Sequence, residues 1–589
     1  MSFILQSAVF PSFDLCSEES LYFRSSEKKI LFDKSSNGLI LSKSQRIDTN
    51  TYFNSFSIGK WVNKTGLTDV SLRLRFTGKV VLQWVCYKEG EQHVLLDSVP
   101  LFSDDFKVPL ELPAPKLSQL NSGVLCFNIQ AQTDSVLYDF EYVTTMPPRR
   151  DVRLGIVITH FNRQEYVTLA IQRLTKHLLS DPSYIERVKL FVVDNSQNLT
   201  VDQVGGAQII RNANLGGSGG FMRGLMYLEN AGEFTHCLFM DDDASTEIEA
   251  IRRTIAILQY AKDEKTAVSG AMLFEHKPFI QYENAAWFNG VCHPRNTDLD
   301  LRDIGNVVEN EKEVAVDYGG WWFFAFPLQT VEKYVFPFFV RGDDSFFCLT
   351  NSFSILTLNG IASWQDSFAT KDSPYTVYLD TRYHLIHNLL GLFAGASRGK
   401  ALRLMRSWFK RYTLSYHYES AQTMLDAVED VVKGPEFWQK NVDMIARRSQ
   451  IMARVQKEKM QDLSSDWENT FRLIESVRKR GLVSRGTLNG HLLPLSIFKN
   501  HNVALKKQFG GSVSDSFLIR KVLYVESRSQ KGYVVEYNRK LFFKILLRYY
   551  CVCYRFWRDY YKLKKDYQSN LNGLISREFW LKQFETHNK

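Results

Sequence analysis

Residues 237–251 read CLFMDDDASTEIEAI, an apolar run that stops at three consecutive carboxylates, Asp241, Asp242 and Asp243. Adjacent carboxylates at a strand end repel one another unless a cation sits among them. Asp is a good helix N-cap, but a better cap follows. Thr246 and Glu249 fit a capping box, and Ile248 and Ile251 begin an apolar helical stripe. The triplet therefore reads as a divalent-cation site at the carboxyl end of a buried strand, where open α/β sheets bind their ligands. A solvated acidic turn is the alternative. Asp241 and Asp243 form a D-x-D pair. Oxygen donors suit Mg²⁺ or Mn²⁺, which typically bridges a carboxylate to substrate phosphates.

A second apolar run ends in the same way. In FPFFVRGDDSFF (336–347) the carboxylates are Asp343 and Asp344. Such a pair supplies a general base when hydrogen bonds hold one carboxylate and the other faces the nucleophile. Its structural alternative is capping of a helix at Ser345. Between the acidic stretches, DYGGWWFFAFP (317–327) sets Trp321 and Trp322 beside paired glycines. A run this apolar is partly core, and an indole beside glycines can also wall a sugar site.

Three stretches precede the triplet. THFNR (159–163) closes a strand where an α/β nucleotide-binding fold puts the loop facing its ligand, and Arg163 is placed for a phosphate or base. VVDNS (192–196) ends the next strand with Asp194, placed to accept from a base or ribose. NANLGGSGGFMRG (212–224) is a glycine-rich loop leading into a helix. It is neither a P-loop nor a GxGxxG fingerprint, but its glycines permit close backbone approach and Arg223 adds charge.

These residues need a scaffold, and the chain divides into three textures. Residues 1–148 alternate apolar and polar positions in segments such as SLRLRF (71–76), VVLQWVCY (80–87) and SVLYDFEYV (135–143), the signal of an all-β sandwich domain. Residues 149–392 alternate short apolar strands (153–161, 188–195, 235–243) with helical patterns, which predicts a parallel sheet with right-handed crossovers. Residues 393–589 read as a mainly helical domain. Within them, 540–565 form an amphipathic helix with Lys540, Lys544, Arg548, Arg555 and Lys562 near one face. Phe542, Ile545, Leu546, Tyr549, Val552, Phe556 and Tyr560 populate the other. That helix either lies on an anionic membrane or packs its aromatic stripe into the protein's own core. Arg403, Arg406, Lys410 and Arg411 form a second basic cluster with the same two readings.

At 589 residues the chain exceeds what one hydrophobic core usually organises. Its net charge of +9 is mild for that length and compatible with anionic substrates or a membrane surface. Basic residues are not concentrated in a nucleic-acid module. The eight cysteines are scattered without CxxC or zinc-like spacing, which predicts a reducing compartment rather than a disulfide framework. The opening MSFILQSAVFPSFDL lacks the features of a signal peptide, and no run of apolar residues is long enough to span a bilayer.

THFNR, VVDN, NLGGSGGFMRG, FMDDD, GGWWFFAFP, RGDD and WQDSF…YHLIHN (364–388) together resemble the inverting nucleotide-sugar glycosyltransferases of family 2, which have a GT-A fold. Within that family they look most like the polymerising galactofuranosyltransferases of mycobacterial galactan synthesis. The resemblance implies an α/β GT-A core, flanked by the β-sandwich and the helical domain. It implies inverting transfer of galactofuranose from UDP-galactofuranose to a hydroxyl of a lipid-linked cell-surface glycan. A homo-oligomer, cytoplasmic and peripheral on the inner membrane face, goes with it. Arg163 and Asp194 would bind the uridine diphosphate, and the loop containing Asn214, Gly216 and Gly217, with Arg223, would close over it. Asp241 and Asp243 would hold Mn²⁺ or Mg²⁺, with Asp242 beside the substrate. Trp321 and Trp322 would line the acceptor site, Asp344 would be the catalytic base and Asp343 would bind an acceptor hydroxyl. His384 corresponds to a histidine near the donor, and Glu275 or Glu283 to an acceptor-binding acid.

One departure from the pattern falls on the metal. The family places a histidine ligand directly after the tryptophan of this stretch, and here Gln365 follows Trp364. Gln offers a single carbonyl oxygen, acceptable to Mg²⁺ and weaker for Mn²⁺. Asp366 and His384 are the other candidates for third ligand. Two further readings stay open: a family 2 enzyme with another nucleotide-sugar donor, and a non-catalytic glycan-binding scaffold.

Overall fold

The apolar runs at 153–161, 188–195 and 235–243 become neighbouring parallel strands buried on both faces. The structure is a computed structural model that describes residues 2–12, 14–26, 31–33, 38–200, 205–368, 371–474, 480–499, 501–508, 511–526 and 529–587. Its central sheet contains β1 (Leu154–His160), β2 (Val188–Asp194), β3 (Gln208–Arg211), β4 (His236–Asp241), β5 (Thr266–Ser269), β6 (Phe324–Pro327) and β7 (Ser354–Leu356). The order is β3-β2-β1-β4-β6-β5-β7. Strand β6 runs antiparallel to both β4 and β5, and the remaining pairs are parallel.

Burial on both faces explains why these strands read as unbroken apolar runs. Side chains alternate between two hydrophobic clusters. Leu154, Ile156, Ile158, Leu190, Val192, Leu238 and Met240 enter one. Val157, Phe191, Val193, Cys237 and Phe239 enter the other. Helices α1 (Gln164–Leu174), α2 (Gly216–Ala231) and α3 (Ile248–Tyr260) make the crossovers. The glycines of α2 let it sit close on β1. A Cβ at Gly224 would lie 2.3 Å from Val157 Cγ1, and one at Gly220 would lie 2.3 Å from Thr159 Cγ2.

The Thr246–Glu249 capping box is not what starts α3. Glu247 occupies the N-cap position without a side-chain cap bond. Thr246 instead pairs with Ser363 in a short sheet and donates to Ala362 O at 2.6 Å. Glu249 reaches the N-terminal region and accepts from the Ser7 amide at 2.7 Å. Tertiary partners thus outbid the local cap, a competition that spacing alone does not reveal.

The N-terminal residues are mainly strands, with one α-helix, Ile58–Thr65, that the all-β expectation did not include. Their ten strands form one connected sheet, where a sandwich of two sheets was expected. The link is the strand Ser71–Tyr87, whose first half pairs with Ser135–Thr144 and whose second half pairs with Val124–Ala131. The partner changes at Gly78, whose φ of +103° suits glycine. This sheet shares its hydrophobic cluster with one face of the central sheet. Tyr22 Oη donates to Glu247 Oε1 at 2.7 Å, and the buried Arg253 of α3 donates to Phe53 O at 3.0 Å.

Over the other face lie α4 (Asp343–Asn351), α5 (Pro374–Leu390), α6 (Arg398–Leu414), α7 (Tyr418–Val432), α8 (Arg539–Leu574) and α9 (Arg577–His587). The mainly helical expectation missed a five-stranded sheet within 461–536. Its inner strands, NVALK (502–506), KVLYVE (521–526) and KGYVVE (531–536), are short and carry lysine at their ends, so their apolar centres are only a few residues long. On α8, Phe542, Ile545, Val552, Phe556 and Tyr560 are buried, so the aromatic stripe packs into the protein's own core. Among the described residues no helix is long and apolar enough to cross a membrane.

Candidate active site

Two adjoining cavities open over the carboxyl ends of β1 and β4. The larger is about 1050 Å³ and the smaller about 320 Å³. Arg163, Gly217, Phe221, Asp241 and Val340 line both. Asp241 closes β4, in register with Thr159 of β1, so the sheet itself sets the start of the triplet at the junction.

The three carboxylates have different surroundings. Asp242 is buried and accepts from the Phe161 amide at 3.2 Å and from Arg163 Nη1 at 3.2 Å. It thereby fixes the THFNR turn. Asp243 Oδ2 meets Arg163 Nη1 and, at 3.1 Å, Lys371 Nζ. These two cations hold its carboxyl below the usual range against the opposing effect of burial. Asp241 is pushed upward, first by desolvation and then by the negative charges of Asp243 and Asp242.

The glycine-rich turn approaches from the next loop. Gly216 has φ +72°, and a Cβ there would lie 2.0 Å from Phe339 O, so glycine is required. Asn214 Oδ1 accepts from the Gly216 amide at 3.1 Å, and Asn195 Nδ2 donates to Gly216 O at 3.2 Å. The smaller cavity is lined by Asn214, Gly216 and Gly217, with Tyr375 and Arg448 from the C-terminal side.

Across the larger cavity, Asp343 and Asp344 begin α4 after a turn in which Phe339, Arg341 and Gly342 all have positive φ. Gly342 is pressed against Tyr383, whose ring would be 2.4 Å from a Cβ. Strain of this kind persists where surrounding structure enforces it. Buried Asp343 accepts from Ser218 Oγ at 3.1 Å. Half-buried Asp344 accepts from the Ser345 amide at 2.6 Å. Desolvation holds both carboxyls above the usual range. Glu283 lines the same cavity, raised to about 8 by desolvation and by the Asp344 charge, and is therefore protonated near neutrality.

Trp321 and Trp322 also line this cavity. Phe221, Phe239 and Phe347 surround Trp321 edge-on, yet its buried Nε1 has no partner. Trp322 Nε1 donates to Gly270 O at 2.9 Å. His384 is lowered to about 4 by desolvation and is neutral. Its ring lies 4.9 Å from that of Trp408, on the α6 wall of the cavity beside Arg403 and Arg411.

Of the candidate site residues singled out in the sequence, Asp194, Arg223, Asp243, Glu275, Gln365 and Asp366 line neither cavity. The Glu275 amide donates to Gln365 O at 3.0 Å, so it sits beside the candidate cation donors rather than at the acceptor cavity. Arg223 lies two turns into α2, its guanidinium 5.1 Å from the Phe584 ring of α9, and lines neither cavity. Asp194 also lines neither. Its carboxylate accepts from the amides of Ser196, Gln197 and Leu199 and so shapes the loop after β2. An Asp followed by Asn-Ser-Gln is a turn signal as readable as a ligand signal. Lys371, Tyr375, Trp408 and Arg448 escaped the sequence reading because each is a lone residue in a helical or loop stretch, brought to the site only by tertiary packing.

Among the described residues no group of three or more His, Cys, Asp and Glu is spaced to hold a metal ion. The donors present are the Asp241 and Asp243 carboxylates and the Gln365 amide. Gln365 is buried, and neither its Oε1 nor its Nε2 has a partner. Trp364 pairs with Ser245, which brings Gln365 and Asp366 to the end of the triplet. An all-oxygen set with an unpartnered buried amide fits a hard divalent cation.

No protein-family model matches the chain. A galactofuranosyltransferase GlfT2 of Mycolicibacterium smegmatis is 26% identical over 421 residues, covering 66% of this chain and 64% of that protein. GlfT2 of Mycobacterium tuberculosis is 25% identical over 427 residues, covering 66% of this chain and 65% of that protein. A solved mannosyltransferase of Pyrobaculum calidifontis is 13% identical and covers 53% of this chain and 84% of its own, with a TM-score of 0.29. The chain thus spans a little under two thirds of the length of the curated relatives it matches, and those relatives, to which it is similar, are galactofuranosyltransferases.

Proposed function

We propose that this chain is an inverting glycosyltransferase with a GT-A core that moves galactofuranose from UDP-galactofuranose to a hydroxyl of a glycan acceptor. The observation that carries the reading is the junction of the two cavities. A D-x-D carboxylate stands between a small loop-lined pocket and a large aromatic one holding Asp344. The small pocket suits a nucleotide, with the Gly216 turn close enough for backbone contact and Arg163 and Arg448 for charge. The large one suits sugars, with two indoles, a protonated Glu283 and a base.

Asp344 takes the proton from the acceptor hydroxyl as that oxygen attacks the anomeric carbon from the face opposite the leaving diphosphate, and the configuration inverts. Its raised proton affinity suits a base working near neutrality. Ser218 holds Asp343 beside it, and Glu283, protonated, donates to the acceptor. Neutral His384 adds no charge that would compete for the diphosphate. Asp241, Asp243 and the Gln365 carbonyl would hold Mg²⁺ or Mn²⁺, which when bound supplies positive charge to the departing diphosphate. Arg163 orients the same group from the THFNR turn.

The acceptor in this reading is lipid-linked, at an anionic membrane surface. In support, α8 exposes Leu547, Tyr550, Tyr554 and Tyr561 with Arg555 and Lys562 on the face opposite its buried stripe. Aromatic and basic side chains on one helix face suit a headgroup layer. Co-sedimentation with anionic vesicles tests the surface, and light scattering tests the homo-oligomer.

The deciding experiment incubates purified protein with UDP-galactofuranose and a short galactofuranosyl acceptor, with Mg²⁺, Mn²⁺ or EDTA, and follows product mass. Metal-dependent hexose addition, absent with UDP-galactopyranose, is the expected result. Silence with both donors while UDP still binds would move the chain to another donor or to a glycan-binding scaffold.

A further inference from the structure

The Asp243 carboxylate serves two cations that are held in different ways. Arg163 is anchored, because it also donates to Asp242, which is itself fixed by the Phe161 amide. Lys371 has Asp243 as its one carboxylate partner among the described residues, at 3.1 Å. Its side chain is 30% exposed and lines the larger cavity, with the ammonium 5.6 Å from the Phe368 ring centre. The fork of an arginine suits a fixed contact, and the flexible stem of a lysine suits a charge that moves.

Charge balance says when it would move. Arg163 and Lys371 bring the triplet the same positive charge as one divalent cation. A divalent cation added to both would over-compensate the three carboxylates, and it would compete with Lys371 for Asp243 Oδ2. A nucleoside diphosphate in the adjoining smaller cavity would bring its negative charge to the junction that the two cavities share at Asp241 and Arg163. We propose that Lys371 is a transferable counter-ion: it holds Asp243 in the ligand-free protein, then passes to the diphosphate when cation and nucleotide arrive together. There it remains protonated and offsets the charge that builds on the leaving group. The lysine makes and breaks no covalent bond. This inference rests on the nucleotide-sugar reading, and adds to it a residue in contact with substrate and a reason for cation and nucleotide to bind cooperatively.

The test measures Mn²⁺ binding by electron paramagnetic resonance and UDP binding by calorimetry, each alone and with the other. Wild type is compared with Lys371→Met and Lys371→Arg, and thermal melting checks that each is folded. Lys371→Gln takes the place of a methionine variant that does not melt cooperatively. In wild type each ligand should tighten the other about ten-fold. Lys371→Met should bind Mn²⁺ alone more tightly than wild type, lose most of the coupling, and bind UDP about ten-fold more weakly in the presence of Mn²⁺. Lys371→Arg should restore UDP affinity. If wild type binds both ligands and Lys371→Met matches it throughout, the counter-ion role is wrong and the nucleotide-sugar reading stands. If wild type binds neither, both fall.

Discussion

Ser218 Oγ donates to Asp343 Oδ2 at 3.1 Å, across 125 positions of sequence. The turn proposed to close over a nucleotide and the acidic pair proposed to act on the acceptor are therefore one hydrogen-bonded unit. Ser218 N reinforces it by donating to Phe339 O at 3.0 Å, at the start of the strained turn that presents the pair.

Within that unit the two carboxylates should separate cleanly by mutation. Asp344→Asn should lower kcat about 10²–10⁴-fold while UDP affinity stays unchanged, because only proton removal is lost. Ser218→Ala leaves the base in place and should act more weakly, through loosened placement of Asp343. Near-full transfer by Asp344→Asn in a single-turnover assay would refute its assignment as the base.

Protonation of Asp344 and Glu283 should frame the pH profile. Desolvation raises Asp344, so kcat/KM should rise with pH at a midpoint above the ordinary carboxylate range. Glu283 is raised to about 8 and should lose its donor proton there, giving an alkaline fall that Glu283→Gln abolishes. Stability follows the same group. A carboxyl whose folded value exceeds its unfolded value, here 4.5, favours the protonated folded state, so that contribution is lost as pH rises from about 4.5 to 8. Glu283→Gln should therefore melt higher than wild type at pH 8 and match it more closely at low pH.

Gln365 offers a test of the cation site that is independent of turnover. An unpartnered buried amide costs about 1–3 kcal/mol. Gln365→Leu should accordingly raise the melting temperature of the metal-free protein and weaken cation binding. Gln365→His substitutes a nitrogen donor, which should shift relative affinity from Mg²⁺ toward Mn²⁺. Competition between the two ions, followed by the Mn²⁺ resonance signal, distinguishes these outcomes from no role.

The glycines of α2 divide into two kinds. Gly224→Leu pushes against Val157 and should destabilise the fold by about 1–3 kcal/mol, read as a lower denaturant midpoint. Gly216→Ala meets a backbone oxygen at positive φ and should distort the turn proposed to close over a nucleotide as well, so calorimetry should show weaker UDP binding.

The central sheet was legible because burial on both faces writes itself as unbroken apolar runs, and the end of one such run located Asp241. The apolar run at 336–340 located Asp343 and Asp344 as well, but it is a strained turn rather than a strand of that sheet. Gly216, Trp321 and Trp322 were legible for a related reason, since those residue types are hard to place without a purpose. Illegible was what distance in sequence hides. Asp194 has a ligand-like position but spends its oxygens on its own loop. Thr246 matches a cap and pairs in a sheet. Arg223 shares a motif with the glycine turn, but the helix carries it away to Phe584. Lys371 and Arg448 belong to no motif at all. The C-terminal sheet was missed because its strands are too brief for their alternation to stand out among helices.

The hydrophobic cluster that runs unbroken from the N-terminal strands beneath β1 and β4 has a practical consequence. A fragment beginning near residue 149 would not be a catalytic module in miniature. It would strip the lid from α3, leaving the Arg253 guanidinium without Phe53 O and turning apolar surface to water. The two regions should unfold in a single transition. Trimming the chain for crystallography, or grafting its core onto another scaffold, therefore calls for keeping the first strands or redesigning the face they cover.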